Sequence, residues 1–303
     1  MIRIFGTILA ALMGLAFGSF LNVCLSRWPE GESVIKPRSH CRSCGRTLAW
    51  WENVPLVSWI ALRGRCRTCG EKISWRYPLV EVAVGALWAV TIWRVIPAML
   101  SPNLSLTEGP LIFCYSSGFD VAIGKLILCW LLVALAVLDA EHLWLPNLLT
   151  IPGILLGIVF TCANFVLGER LAEGPTISLL GTISTSLIGS AVDILVAAGI
   201  ILLIRWTYWL IRRREGIGLG DAKLMAMLGA WLGLSGALLS FAIGVMIGAV
   251  FALVALAVPA ARRESDTWLR SKMPLGTFLC VGGIISALWG QPLIAAYMRF
   301  VGL

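Results

Sequence analysis

Eight long apolar runs constrain this chain more than any other feature. They lie at 4–24, 79–97, 121–138, 146–166, 177–204, 222–235, 237–259 and 274–298. A helix of about 20 apolar residues matches the ~30 Å hydrocarbon core of a bilayer. The runs neither alternate like half-buried strands nor show one polar helical face, so lipid is the simplest environment for them. Composition agrees: 59% of the 303 residues are hydrophobic and 13% are charged, with mean hydropathy +0.89. Soluble domains carry about 25% charged residues.

The basic residues set the orientation. Segment 26–78 holds ten of them (Arg27, Lys36, Arg38, Arg42, Arg46, Arg63, Arg65, Arg67, Lys72, Arg76) against Glu30, Glu32, Glu52 and Glu71. A loop this basic resists export, so the first run is a retained helix, not a cleaved signal, and its N-terminus lies outside. Alternating from there puts 26–78, 139–145, 205–221 and 260–273 in the cytoplasm. The outer segments are 98–120, 167–176 and a short link near Ser235. Loop 98–120 has no Lys or Arg, while the inner set adds Arg205, Arg212, Arg213, Arg214, Arg262, Arg263, Arg270 and Lys272. The net charge of +8 therefore reads as positive-inside charge. No nucleic-acid motif accompanies it, and the run at 212–214 suits acidic lipid headgroups.

The expected fold is an all-α polytopic membrane protein with about eight transmembrane helices and a cytoplasmic zinc-binding loop domain. Its parts are a first helix at 1–25, a tetracysteine domain at 26–78 and a transmembrane domain at 79–303. Within the loop, Cys41 and Cys44 form one C-x-x-C pair and Cys66 and Cys69 a second. Two such knuckles complete a tetrahedral zinc shell, and a closed four-sulfur site is structural in type. A short loop gains folding energy from the metal. Iron on the same sulfurs and a pair of disulfides are the rival readings. His40 reads as a surface residue beside the first knuckle. The other five of the nine cysteines scatter through or near apolar runs, where Cys acts as a small hydrophobe.

Two carboxylates stand at helix ends on the cytoplasmic side. Asp139 follows the third apolar run, and Asp221 closes G-I-G-L-G-D at 216–221. Helix ends distant in sequence can bring such groups to one depth. Like charges at close range cannot both ionise, so the pair shares a proton: one carboxylate then activates water while the other polarises a carbonyl. Gly218 and Gly220 leave the backbone bare for a substrate chain. Either residue alone also reads as a helix cap. Asp193, inside the fifth run, reads as a catalytic or transport group, a helix–helix hydrogen-bonding group, or a sign that the span is misdrawn. Glu81 reads as the partner of a basic neighbour.

These pieces together resemble the bacterial type IV prepilin peptidases, a family of G-x-G-D aspartic proteases. The matching segments are G-S-F-L-N-V at 18–23, S-H-C-R-S-C at 39–44, N-V-P-L-V-S-W at 53–59, L-R-G-R-C-R-T-C at 62–69 and I-S-W-R-Y-P-L-V-E at 73–81. Asp139, the G-L-G-D motif and P-L-G-T-F-L at 274–279 follow in the family order. The resemblance implies eight helices, with Asp139 and Asp221 as the catalytic pair. It implies cleavage after a glycine in the basic leader of prepilins and type II secretion pseudopilins at the inner membrane. It further implies N-methylation of the new N-terminus from S-adenosylmethionine. The tetracysteine loop is similar to that of bifunctional members, although no glycine-rich fingerprint in 26–78 places the methyl donor. The competing class is an ion-coupled transporter, since intramembrane carboxylates also mark ion paths.

Overall fold

A computed structural model describes residues 1–100, 118–171, 179–214, 218–257 and 274–302. Most of loop 98–120, half of loop 167–176 and the basic residues of 260–273 fall outside these ranges. The chain divides into two compact units, Met1–Pro102 and Asn103–Leu303.

In the first unit, α1 (Ile2–Arg27) packs along α3 (Arg76–Leu100). Glycine allows the two backbones to touch: a Cβ on Gly14 would stand 2.8 Å from Gly85 Cα, and one on Gly18 2.8 Å from Glu81 Cα. Without a hydrophobic drive between helices in lipid, such close approach supplies much of the association energy. The connection between them carries short helix α2 (Val57–Ala61) and the two cysteine knuckles. Several of its basic residues tie the loop together. Buried Arg27 donates to the carbonyls of Ser33 (2.8 Å) and Pro37 (2.7 Å), and Arg46 pairs with buried Glu52 at 2.6 Å.

The second unit contains α4 (Gly118–His142), α5 (Asn147–Leu171), α6 (Leu179–Arg212), α7 (Leu219–Ala257) and α8 (Leu275–Val301). Large side chains such as Leu195, Leu203 and Ile211 project outward from α6, as a lipid-facing surface requires. Among the described residues, seven helices are long and apolar enough to cross a membrane. One of them, α7, is a hairpin. Its 39 residues would reach about 58 Å as a straight helix, twice the bilayer core. Instead the chain breaks at Gly233, with φ 68° and ψ 177°, a conformation open to glycine. Packing against α8 records the reversal. Leu228 meets Gly283 on the way in, whereas Gly236 meets Ser286, Ser240 meets Gly282 and Gly244 meets Leu279 on the way back. The arms 219–232 and 234–257 match the sixth and seventh predicted spans, so the six apolar segments of this unit and the two of the first make eight.

The first arm is only about 21 Å long by helical rise, so its apex stops short of a full crossing. Irregular backbone at that depth must be satisfied by protein. Asp193 of α6 does this by accepting the N–H of Leu234. Its own carbonyl lies 2.8 Å from where a Cβ of Gly229 would stand. Of the roles open to Asp193 in the sequence, the structure gives it the helix–helix hydrogen bond. Glu81 also differs from expectation: it accepts the Leu56 N–H at 2.8 Å and the Ser19 hydroxyl, both neutral donors.

Candidate functional site

Asp139 lies in the last turn of α4 and Asp221 in the first turn of α7, and both are buried. The two carboxylates are close enough for their charges to be felt by one another. Buried Cys280 of α8 lies within electrostatic range of both. The structure thus brings together the two aspartates that the sequence singled out.

Each carboxylate is gripped at one oxygen. The Thr277 N–H donates to Asp139 Oδ2 at 2.6 Å. The Thr277 hydroxyl lies 3.1 Å from the same oxygen and 3.1 Å from the Ala136 carbonyl; with one proton it serves one acceptor at a time. The Gly218 N–H donates to Asp221 Oδ2 at 3.2 Å.

Glycines keep the site narrow. A Cβ on Gly276 would stand 2.9 Å from Asp139 Cγ, and one on Gly220 3.1 Å from Leu145 Cβ. Buried Leu145 thereby spaces the start of α7 from the start of α8. Lys223, two residues past Asp221, donates to Asn147 Oδ1 at 2.6 Å, tying the N-terminal ends of α5 and α7. Sequence reasoning flagged P-L-G-T-F-L as a segment without seeing that its Thr277 and Gly276 define the surroundings of Asp139.

The first unit holds the second predicted site. The ligand atoms of Cys41, Cys44, Cys66 and Cys69 all lie within 4.8 Å of one another. Cys41 Sγ and Cys69 Sγ are 3.8 Å apart, the edge of about 3.8 Å that a tetrahedron with ~2.3 Å zinc–sulfur bonds requires. The knuckles are built alike. Cys41 N–H donates to Arg46 O and Gly45 N–H to Cys41 O; Cys66 N–H donates to Glu71 O and Gly70 N–H to Cys66 O. Gly45 and Gly70 close the turns at φ 69° and 72°. Backbone N–H groups of Cys69 and Thr68 draw the Cys66 thiol down to about 6, while burial and the neighbouring sulfurs push Cys69 up to about 11. The four cysteines are placed to hold one metal ion. His40 turns its Nδ1 to the Arg38 carbonyl at 3.1 Å.

Residues 12–95 match the family model described as the bacterial peptidase A24 N-terminal domain. Residues 126–253 match that of the type IV leader peptidase family. One match falls in each compact unit. Curated relatives named prepilin leader peptidase/N-methyltransferase are similar over nearly the whole chain. The protein of Stutzerimonas stutzeri is 31% identical, covering 97% of this chain and 94% of the relative. That of Xanthomonas campestris pv. campestris is 32% identical, with 97% and 95% covered. That of Pseudomonas aeruginosa is 31% identical, with 96% and 93% covered. No solved structure gives a significant match.

Proposed function

The chain belongs to the type IV leader peptidase family, and from that premise we propose that Asp139 and Asp221 cut the leader peptides of prepilins and pseudopilins. The observation that carries the reading is the meeting of two buried carboxylates from separate helix ends, each anchored at one oxygen by a backbone N–H. One carboxylate takes a proton from water as the water oxygen attacks the scissile carbonyl. The other lends its proton to the carbonyl oxygen. Collapse of the tetrahedral species breaks the C–N bond, and the leaving nitrogen takes up a proton. The transporter reading finds no support in the family matches.

The pair faces the cytoplasm in this reading, in a bacterial inner-membrane protein whose N-terminus lies outside. Segment 26–78 is its cytoplasmic tetracysteine domain and the helices from 79 onward its membrane domain. Zinc on Cys41, Cys44, Cys66 and Cys69 supplies folding energy to the loop. After cleavage the new N-terminal amine receives a methyl group from S-adenosylmethionine, which supplies an electrophilic carbon. Acidic lipids at the run 212–214 complete the set of partners.

The direct test incubates full-length protein in detergent with a prepilin. Asp139→Asn and Asp221→Asn should each abolish cleavage. Full cleavage by either variant removes that residue from the mechanism.

A further inference from the structure

The first unit has an open cavity of about 610 Å³ lined by α1, α3 and the cysteine loop, against about 210 Å³ for the cavity at the α7 apex. Small-molecule sites run from about 300 to 1,000 Å³, so only the former has nucleoside size. Its wall carries an unusual polar group. Asn22 is 2% exposed. Its Nδ2 donates to the Tyr77 carbonyl at 2.9 Å, which fixes the amide's orientation, because a carbonyl can only accept. Its buried Oδ1 then has no donor among the described residues. An orphaned buried acceptor costs about 1–3 kcal/mol, which a ligand N–H or O–H would recover.

Glu81 lines the same cavity. Its partners, the Leu56 N–H and the Ser19 hydroxyl, orient the carboxylate without neutralising it. Leu56 holds that N–H in place from a backbone with positive φ, 58°, and ψ −48°. Tyr77 and Trp59 add aromatic surface, and Lys72 adds a cation. The matching ligand has a cationic centre, a hydrogen-bond donor, a flat ring and a carboxylate.

We propose that this cavity is the binding site for the sulfonium methyl donor. The Glu81 carboxylate faces the sulfonium, Asn22 Oδ1 accepts from the nucleoside, and Lys72 meets the ligand carboxylate. The proposal rests on the methyltransferase reading above and gives that activity a place in the N-terminal unit.

Two measurements on the full-length protein in detergent test it. Photolabelling with an azido-adenosine analogue of S-adenosylmethionine, mapped by mass spectrometry, should mark peptides bearing Asn22, Trp59 or Tyr77. Calorimetry should show that wild type prefers S-adenosylmethionine to its uncharged thioether product. Glu81→Gln retains size and an acceptor for Leu56, and should bring that preference close to one. Asn22→Leu should weaken both ligands about tenfold, the equivalent of ~1.4 kcal/mol. Labelling in 118–302 by a protein that still methylates its substrate overturns the site and leaves the function standing. An unchanged sulfonium preference in Glu81→Gln also overturns it. A wild type that neither binds the donor nor methylates a mature N-terminus overturns the methyltransferase reading itself.

Discussion

Replacing Gly276 with alanine places one methyl group against the proposed catalytic carboxylate. The new Cβ would stand 2.9 Å from both Cγ and Oδ2 of Asp139, with Leu145 Cδ1 at 3.1 Å on another side. Comfortable carbon contacts lie at about 3.5–4.0 Å, so Asp139 must retreat by roughly 0.6 Å or more. Retreat lengthens the 2.6 Å bond from Thr277 N–H, a bond to a charged group worth about 1.5–3 kcal/mol. Losing it corresponds to roughly 10- to 150-fold in rate if the grip is needed in the transition state. A misplacement on the order of 1 Å independently suggests about 10²-fold. We therefore expect kcat for prepilin cleavage to fall about 100-fold in Gly276→Ala, with KM little changed. Steady-state cleavage in detergent reads the rate, and a thermal melt of the same sample shows whether the fold survives. A variant that melts like wild type and keeps kcat within twofold would refute the argument. If Asp139→Asn were inactive at the same time, the residue would remain but the need for a fixed Oδ2 would be lost.

Three further outcomes are expected. Asp193→Ala strands the Leu234 N–H at the α7 apex and should lower stability by about 1–3 kcal/mol, measured by thermal unfolding; Asp193→Asn, which keeps an acceptor, should recover most of it. Metal analysis of protein prepared without chelators should find one zinc per chain, and Cys41→Ser with Cys66→Ser should remove it and make 26–78 readily cleaved by protease. The Arg46 guanidinium holds the Glu52 carboxyl below the ordinary carboxylate value, so this pair stabilises the loop above that value and the contribution disappears as pH falls through the lower, folded one. Glu52→Gln should therefore flatten the acid limb of the loop's protease resistance as pH falls below the ordinary carboxylate value; an unaltered limb would mean that the pair contributes nothing there.

The membrane fold was legible because lipid writes its demands into composition and period. Even the division of α7 could be read, since 222–259 is too long for one span and too short for two comfortable ones. The cysteine tetrad was legible because metal chemistry dictates local spacing. What could not be read were pairings across the chain. Thr277 reaches Asp139 over 138 residues, and nothing in P-L-G-T-F-L says which carboxylate it will hold. Glu81 looked like half of an ion pair, yet its donors are a backbone N–H and a hydroxyl. Asp193 looked like a candidate for chemistry because a lone carboxylate in an apolar run is costly. The broken backbone it supports becomes visible only once the hairpin is folded.

The positions of the two aspartates answer an electrostatic problem. The last turn of α4 is a poor place for a carboxylate, because a helix C-terminus carries partial negative charge. Asp139 sits there nonetheless. Its compensation comes from another helix: Thr277 is the third residue of α8, and its N–H is one of the four that a helix start leaves unpaired. Asp139 thus caps α8 from outside. Asp221 is the third residue of α7 and reaches back to the N–H of Gly218, one half of a capping box. Both carboxylates consequently meet the positive end of a helix, where negative charge is favoured. Two helix starts are needed to hold two acids so close together in a buried place. That requirement fits the packing of both helix starts on Leu145, through Gly220 of α7 and Gly276 of α8.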